Sequence, residues 1–158
     1  GRAAVENLMA AHVRQQILAA AKTALTSLAT TGANVFEDRD TEENPLQSGE
    51  LPGLVIEDDG DPAEIASLGR GRLLERRMRL RVTAHVKSAT TPGATLNQIL
   101  KEVEVALAAA DLAGAKYCTL GEVAARETSE AAETKTMRRD FVFEVLYYTA
   151  HDVPDVAL

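Results

Sequence analysis

Between His12 and Leu28 the apolar residues Val13, Ile17, Ala20, Ala21, Ala24, Leu25 and Leu28 recur at spacings of three and four, which gathers them on one helical face. Thr30, Thr31 and Gly32 then disfavour another turn and supply a C-terminal cap, so the helix is expected to stop there. The same period returns from Thr95 to Ala110, where Leu96, Ile99, Leu100, Val103, Ala106, Leu107 and Ala110 share a face and Asn97, Gln98, Lys101, Glu102 and Glu104 occupy the others. Between the two, from Leu73 to Lys87, the period changes to two. Met78, Leu80, Val82, Ala84 and Val86 alternate with Arg77, Arg79, Arg81, Thr83, His85 and Lys87, predicting a long strand with one buried face and one wet, basic face.

Shorter runs complete the pattern. Asn34 to Glu37, Leu51 to Asp58, Glu64 to Leu68 and Tyr117 to Ala125 read as strands, the second entered through Pro52, where no ladder hydrogen bond is required. Asp59-Gly60-Asp61-Pro62 reads as a turn, and Ser88 to Gly93, with Pro92, as a loop. In the last strand, Met137 to Thr149, Phe141, Phe143, Val145 and Tyr147 alternate with Val142, Glu144, Leu146 and Tyr148. A strand apolar on both sides is expected at the centre of a sheet or under a partner. The polar segments Asp38 to Glu50 and Arg126 to Lys135 are expected as mobile connections. Residues 1–8 are expected as an extension, 9–149 as one domain, and 150–158 as a flexible tail. The order of helix, strands, helix, strands lacks alternating strand-helix-strand units. It predicts an α+β fold, with two helices packed on one face of a mainly antiparallel sheet.

Composition narrows the class. A chain of 158 residues, 46% apolar and 26% charged, suits one ordinary globular domain. No apolar stretch approaches the roughly 20 residues needed to cross a bilayer, so no membrane partner is expected. The lone Cys118 forms no intrachain disulfide and no multi-cysteine zinc site, which suits a reducing compartment. With no Trp and three each of Phe and Tyr, stacking platforms for bases or sugars are few.

A net charge of -7 argues against a general nucleic-acid binder, but its layout says more. From Glu37 to Glu64 eleven acids face the single base Arg39, and from Arg70 to Lys87 seven bases face the single acid Glu75. Two readings follow. Either neighbouring strands pair opposite charges across a solvated face, or the basic face of one subunit meets the acidic face of the next. The second makes Arg72, Arg76, Arg77, Arg79, Arg81, Asp58, Asp59, Asp61 and Glu64 candidate subunit-interface residues.

Candidate chemistry is sparse. Gly69-Arg70-Gly71 resembles a piece of a nucleotide-binding glycine loop, yet it opens a strand and has no third glycine. His12, His85 and His151 lie far apart and outside any metal-ligand spacing, and His85 reads as a surface residue on the wet strand face. Cys118 has no nearby histidine and reads as a small core residue. Asp58, Asp59 and Asp61 are the best candidates for a divalent cation, although a solvated turn explains them more simply. No catalytic residue, cofactor or metal is expected.

The pattern as a whole resembles the tail terminator proteins of long-tailed phages, the lambda minor tail protein U-like family. The likeness is carried by the helix Val-Arg-Gln-Gln-Ile-Leu-Ala-Ala-Ala at 13–21, Ala-Asn-Val-Phe-Glu-Asp-Arg at 33–39 and Leu-Pro-Gly-Leu-Val-Ile at 51–56. Arg-Leu-Arg-Val-Thr-Ala-His-Val at 79–86, the helix at 95–110 and Phe-Val-Phe-Glu-Val-Leu-Tyr-Tyr-Thr at 141–149 complete it. The resemblance implies a non-enzymatic virion protein, assembled in the host bacterial cytoplasm and sited at the tail-head junction. There it would form a hexameric ring that caps the tail tube, stops its polymerisation and presents a head-joining surface. Its partners would be copies of itself, the tail tube protein and head-tail connector proteins, with DNA passing through the lumen without sequence-specific binding. Asp40, Glu42, Glu43 and Glu50 in one polar segment, and Glu130 and Glu133 in the other, are then candidates for docking to tube or connector. A related head-tail joining or completion protein is the alternative, and a small ligand-binding α+β module is a third reading from a different class.

Overall fold

The computed structural model describes residues 11–60, 62–67, 72–89, 91–129 and 135–158. Two helices, α1 (Val13–Leu25) and α2 (Pro92–Ala109), cover one face of a seven-stranded sheet. The strands are β1 (Val35–Glu37), β2 (Gly53–Asp58), β3 (Ala63–Ile65), β4 (Leu73–Lys87), β5 (Tyr117–Val123), β6 (Glu127–Ser129) and β7 (Thr136–Ala150). The fold is α+β, and every strand pair is antiparallel except β1 with β2.

The sheet is two long hairpins side by side, each preceded by a helix. β4 and β7 pair along their whole length, from Leu73 opposite Ala150 to Lys87 opposite Thr136. β2 and β3 follow one another along the free side of β4, and β5 and β6 do the same along β7. β1 and β5 end the main strand order on opposite sides. Partners in an antiparallel pair share a face, so Met78, Leu80 and Val82 stand beside Val145, Phe143 and Phe141. Onto that face α1 brings Val13, Ile17, Ala21 and Leu25, and α2 brings Leu96, Ile99, Val103 and Leu107, all buried with Tyr147 in one core. Each such side chain taken from water contributes about 1.5–3 kcal/mol. The two-sided apolar pattern of the last strand therefore marks the sheet interior, where β7 lies between β4 and β5.

Several boundaries differ from the expected ones. α1 ends at Leu25 because the following residues fold back, with the Gly32 N–H donating to the Leu28 carbonyl at 2.8 Å while Gly32 adopts φ +56°, a conformation open to glycine at little cost. α2 begins at Pro92 instead of Thr95, since a fixed φ and a missing N–H suit the first helical turn. Part of the connection expected from 126 to 135 is strand, because Glu127, Thr128 and Ser129 pair with Arg138, Met137 and Thr136. The last residues, expected as a flexible tail, hold contacts: the Pro154 carbonyl accepts from the first helical N–H of α1 at 3.0 Å, and the Leu158 N–H donates to Tyr148 at 2.9 Å. The expected extension at 1–8, the Gly69-Arg70-Gly71 fragment, Asp61, Glu130 and Glu133 lie outside the described residues. No helix among the described residues is long and apolar enough to cross a membrane.

Candidate assembly surface

The sheet face turned away from the helices carries the charges of the arginine strand, and its two ends are built differently. At one end β4 presents Arg77, Arg79 and Arg81. The register sets Glu57 of β2 opposite Arg81, and Leu146, Glu144 and Val142 of β7 opposite Arg77, Arg79 and Arg81. The arginines are therefore interleaved with acids of their own chain. Arg81 donates to Asp59 at 2.8 Å and lies 3.6 Å from Glu57. Arg77 donates to Glu144 at 2.7 Å and to the Tyr117 hydroxyl at 3.1 Å, and lies 3.5 Å from Glu75. Arg79 is the least engaged: its side chain is 51% exposed and, among the described residues, its ion-pair partner is Asp59 at 3.8 Å. The hydrogen bond from Arg77 to Glu144 raises the guanidinium further above its usual range. Burial lifts the Glu57 carboxyl, an effect that Arg81 opposes and that Asp59, Asp140 and Asp38 reinforce. Opposite charges thus pair across neighbouring strands within the chain.

Asp58 points elsewhere and ties α1 to the end of β2, accepting from Arg14 Nε at 2.7 Å and from a terminal nitrogen at 3.0 Å. Burial works to raise its pKa, but hydrogen bonds from Arg14 and the Gly60 N–H outweigh it and hold the carboxyl low. Arg76 belongs to the helix-covered face, with its guanidinium 5.5 Å from the Tyr147 ring centroid and 3.1 Å from His12 Nε2. It therefore does not share a side of β4 with the other arginines. Arg72 and Glu64 are exposed near the far end of the first hairpin, where Glu64 pairs in register with Glu75.

At the other end the segment from Asp38 to Leu51 folds over the sheet. Leu46, Leu51 and Val55 form a small buried cluster with Phe36 packed against it. Arg39 organises the segment: it donates to the carbonyls of Asn44 and Pro45 at 2.9 Å, bonds both Glu50 oxygens at 2.7 and 2.9 Å, and stacks 4.7 Å from the Phe36 ring. The Arg39 hydrogen bond, joined by the Gln47 N–H, holds Glu50 down to about 2. Asp40 accepts from the Glu42 N–H at 3.0 Å and so shapes the same loop. Of this loop's four acids expected to dock, Asp40 and Glu50 are engaged internally, whereas Glu42 and Glu43 are exposed. Gly53 is required where the loop re-enters the sheet, because a Cβ there would strike the Glu50 carbonyl and the Leu46 side chain.

The loop also corrects the expectation for His85. The ring is on the side of β4 predicted for it, yet only 5% of the residue is exposed, and Nε2 has no hydrogen-bond partner. Burial and the nearby Arg138 charge push it down to about 4. Thr83, also buried, donates to Asp140 at 2.8 Å. Cys118 is half-buried and its thiol is pushed up to about 11 by burial, which leaves it a poor nucleophile at neutral pH. Among the described residues no three His, Cys, Asp or Glu side chains are grouped to hold a metal ion.

Sequence reasoning missed the acids of the neighbouring strands. Glu57 and Glu144 follow the period-two signal within their own strands, but only the register puts them beside Arg81 and Arg77. It also missed the irregularity between Leu120 and Glu122, where the register of β5 against β7 shifts. There Gly121 offers no side chain, and an open trough of about 380 Å³ runs over Val142 between Arg79 and Glu122.

No protein-family model matches the chain, and no curated protein matches it. Among solved structures, a chain from "Virion of native gene transfer agent (GTA) particle" is similar at 21% identity, over 85% of this chain and 90% of that one, with a TM-score of 0.48.

Proposed function

We propose that the chain is a structural subunit of a phage-type virion, a tail terminator whose copies close into a ring on the end of the tail tube. The ring stops tube polymerisation and offers the surface to which the head is joined, while DNA passes through its centre. The family likeness across residues 9–149 supports this reading. The observation that carries it is the asymmetry of the sheet: both helices pack on one face, the other face is roofed at one end by the segment from Asp38 to Leu51 and keeps its charges in solvent at the other, and β1 and β5 end the strand order on opposite sides. Two different free margins on one body favour head-to-tail contacts, and such contacts close into a ring when the rotation per subunit allows. The acids beside Arg77 and Arg81 also suit a protein past which DNA slides, because a phosphate backbone competes poorly for cations already paired.

The test is solution mass by light scattering over a concentration series, negative-stain imaging, and binding to purified tail tubes. A closed ring of about six subunits that caps tube ends is expected. A ring that ignores tube ends and binds the head connector would move the assignment to a head-tail joining protein. A monomer that binds neither would overturn the assembly reading.

A further inference from the structure

The segment that roofs one end of the sheet is bonded to itself and only packed onto what lies beneath. Among the described residues, every hydrogen bond made by residues 39–51 stays within the segment: Arg39 bonds Asn44, Pro45 and Glu50, Asp40 bonds Glu42, Glu43 and Asn44, Gln47 bonds Pro45 and Glu50, and Leu51 bonds Ser48. What holds it down is the contact of Leu46 and Leu51 with Val55, and the Arg39 guanidinium on the Phe36 ring. Its entry is a turn at Asp38, where φ is +52° and the N–H donates to the Ile56 carbonyl at 3.0 Å, so the segment is free to lift while the strands on either side of it stay paired. A loop that keeps its own bonds loses only packing when it lifts, and such units open locally well below the free energy of global unfolding.

Beneath the roof lies His85, buried, with no hydrogen-bond partner at Nε2. Arg39 and Glu42 of the roof, Arg138 and Asp140 of β7 and Glu127 of β6 surround it; β2 sets the uncharged Gly53 opposite it, and Lys87, two residues on along β4, is exposed. Arg138 is its register partner on β7. The acids are committed elsewhere, Asp140 to the Thr83 hydroxyl at 2.8 Å and Glu127 to Arg138 at 2.9 Å, and Glu42 is exposed. A neutral ring tolerates these surroundings. A protonated one would be a second cation beside Arg138, carrying a buried N–H without an acceptor. A gap of about 210 Å³ between the roof and β6 borders the ring, so lifting the roof gives water a path to it.

We propose that the roof is an acid-released lid: protonation of His85 lifts residues 39–51 from the sheet and uncovers Leu46, Leu51 and Val55. The closed lid belongs to the neutral ring. The lid's own clamp is not the trigger, because Arg39 holds Glu50 down to about 2 and that pair stays charged throughout the range in which the histidine titrates. Burial and the Arg138 charge keep the ring near 4 under the closed lid, against 6.5 in water, so opening is favoured as pH falls through that interval and gains nothing below it. Between pH 7 and pH 5 this linkage multiplies the open population about twentyfold. The inference concerns one subunit and stands whether or not the assembly reading does.

The test is amide exchange of the full chain at pH 7 and pH 5, corrected for intrinsic exchange and repeated in low urea. The Asn44 and Glu50 N–H groups, bonded to the Asp40 and Gln47 carbonyls, are expected to open about twentyfold more at the lower pH, with far less dependence on urea than the ladder between β4 and β7. His85→Gln is expected to cut that rise to less than about twofold, and Arg138→Gln to reduce it, because one charge that disfavours the protonated ring is gone. Roof amides that exchange only together with the β4 and β7 ladder, with the same urea dependence, overturn the lid. An equal rise in His85→Gln assigns the trigger to another group, such as Glu57, and overturns the proposal as well. Should His85→Gln fail to fold, an NMR titration of the wild type decides: ring signals of His85 and the roof amides moving with one midpoint support the lid, and roof amides that move while the ring does not overturn it.

Discussion

Arg79 and His85 sit on the same side of the same strand, six residues apart, yet the first side chain is half in water and the second residue is almost wholly buried. Alternation along β4 places both on the face away from the helices, and nothing within β4 itself separates them. What separates them is the segment from Asp38 to Leu51, which roofs one end of the face and stops short of the other. The roofed end has the character of a small second core, with Leu46, Leu51 and Val55 excluding water and buried polar groups such as Thr83 satisfied by Asp140. The open end keeps its charges in solvent and balances them against one another. A period of two therefore tells which residues share a side, and the covering loop decides what that side is for.

The comparison predicts that the roofed end is far more sensitive to change. Leu46 is 2% exposed and holds the loop to the sheet, so Leu46→Ala is expected to cost about 3 kcal/mol of stability in urea denaturation, the usual range for emptying a buried leucine site. Amide exchange at Thr83 and His85 is expected to rise with it. Exchange there as slow as in the wild type, with little loss of stability, would mean that the loop is no roof.

His85 gives the next largest effect, through pH. Its pKa is depressed from 6.5 to about 4 by burial and the Arg138 charge, so the unfolded chain binds this proton more readily than the folded one. Asp140 favours the charged ring while Arg138 and Arg39 oppose it, and burial outweighs them all. Stability from this residue is complete above about pH 6.5 and drains as pH falls toward about 4, below which both states are protonated and the loss is constant. By pH 5 the loss attributable to His85 is about 2 kcal/mol. The check is the difference in unfolding free energy between pH 7 and pH 5 for wild type and His85→Gln, which removes the titration and keeps a polar side chain. Equal pH dependence in the two proteins would locate the titration elsewhere.

How much of this was legible beforehand follows from where the information lies. The two helices, β4 and β7 were readable because each has a strong period over thirteen or more residues and an apolar face that must be buried, and the α+β class followed from their order. β6 was missed because Glu-Thr-Ser carries no apolar alternation, and it is strand only because the edge of β7 offers it a ladder. The roof was missed because its one essential cation, Arg39, is separated from its acid, Glu50, by ten residues with no periodic signal. On the candidate surface, the side occupied by Arg77, Arg79 and Arg81 was legible and their neighbours were not, since pairing register is a property of two strands together. Arg76 is a miss of another kind: read as part of a basic cluster, it lies on the opposite side of β4, beside Tyr147 and His12, where alternation within β4 alone puts it with Met78 and Leu80.

The smallest expected effect belongs to the open end. Arg81 bonds Asp59 at 2.8 Å and lies near Glu57, and the side chains of all three are between 27% and 41% exposed. Water competes for such groups, and ordering long side chains offsets most of the Coulomb gain, so pairs of this kind contribute between about 0 and 1 kcal/mol. Arg81→Ala is therefore expected to lower the monomer's stability by less than about 1 kcal/mol, with most of that difference gone in about 1 M salt, where screening acts over about 3 Å. The measurement is urea denaturation at low and high salt, beside Leu46→Ala under the same conditions. A loss at Arg81 as large as the one at Leu46, and insensitive to salt, would show that the open end is a second core after all. A small, salt-sensitive loss leaves that face with little work in holding one subunit together, as expected of a surface that meets another copy.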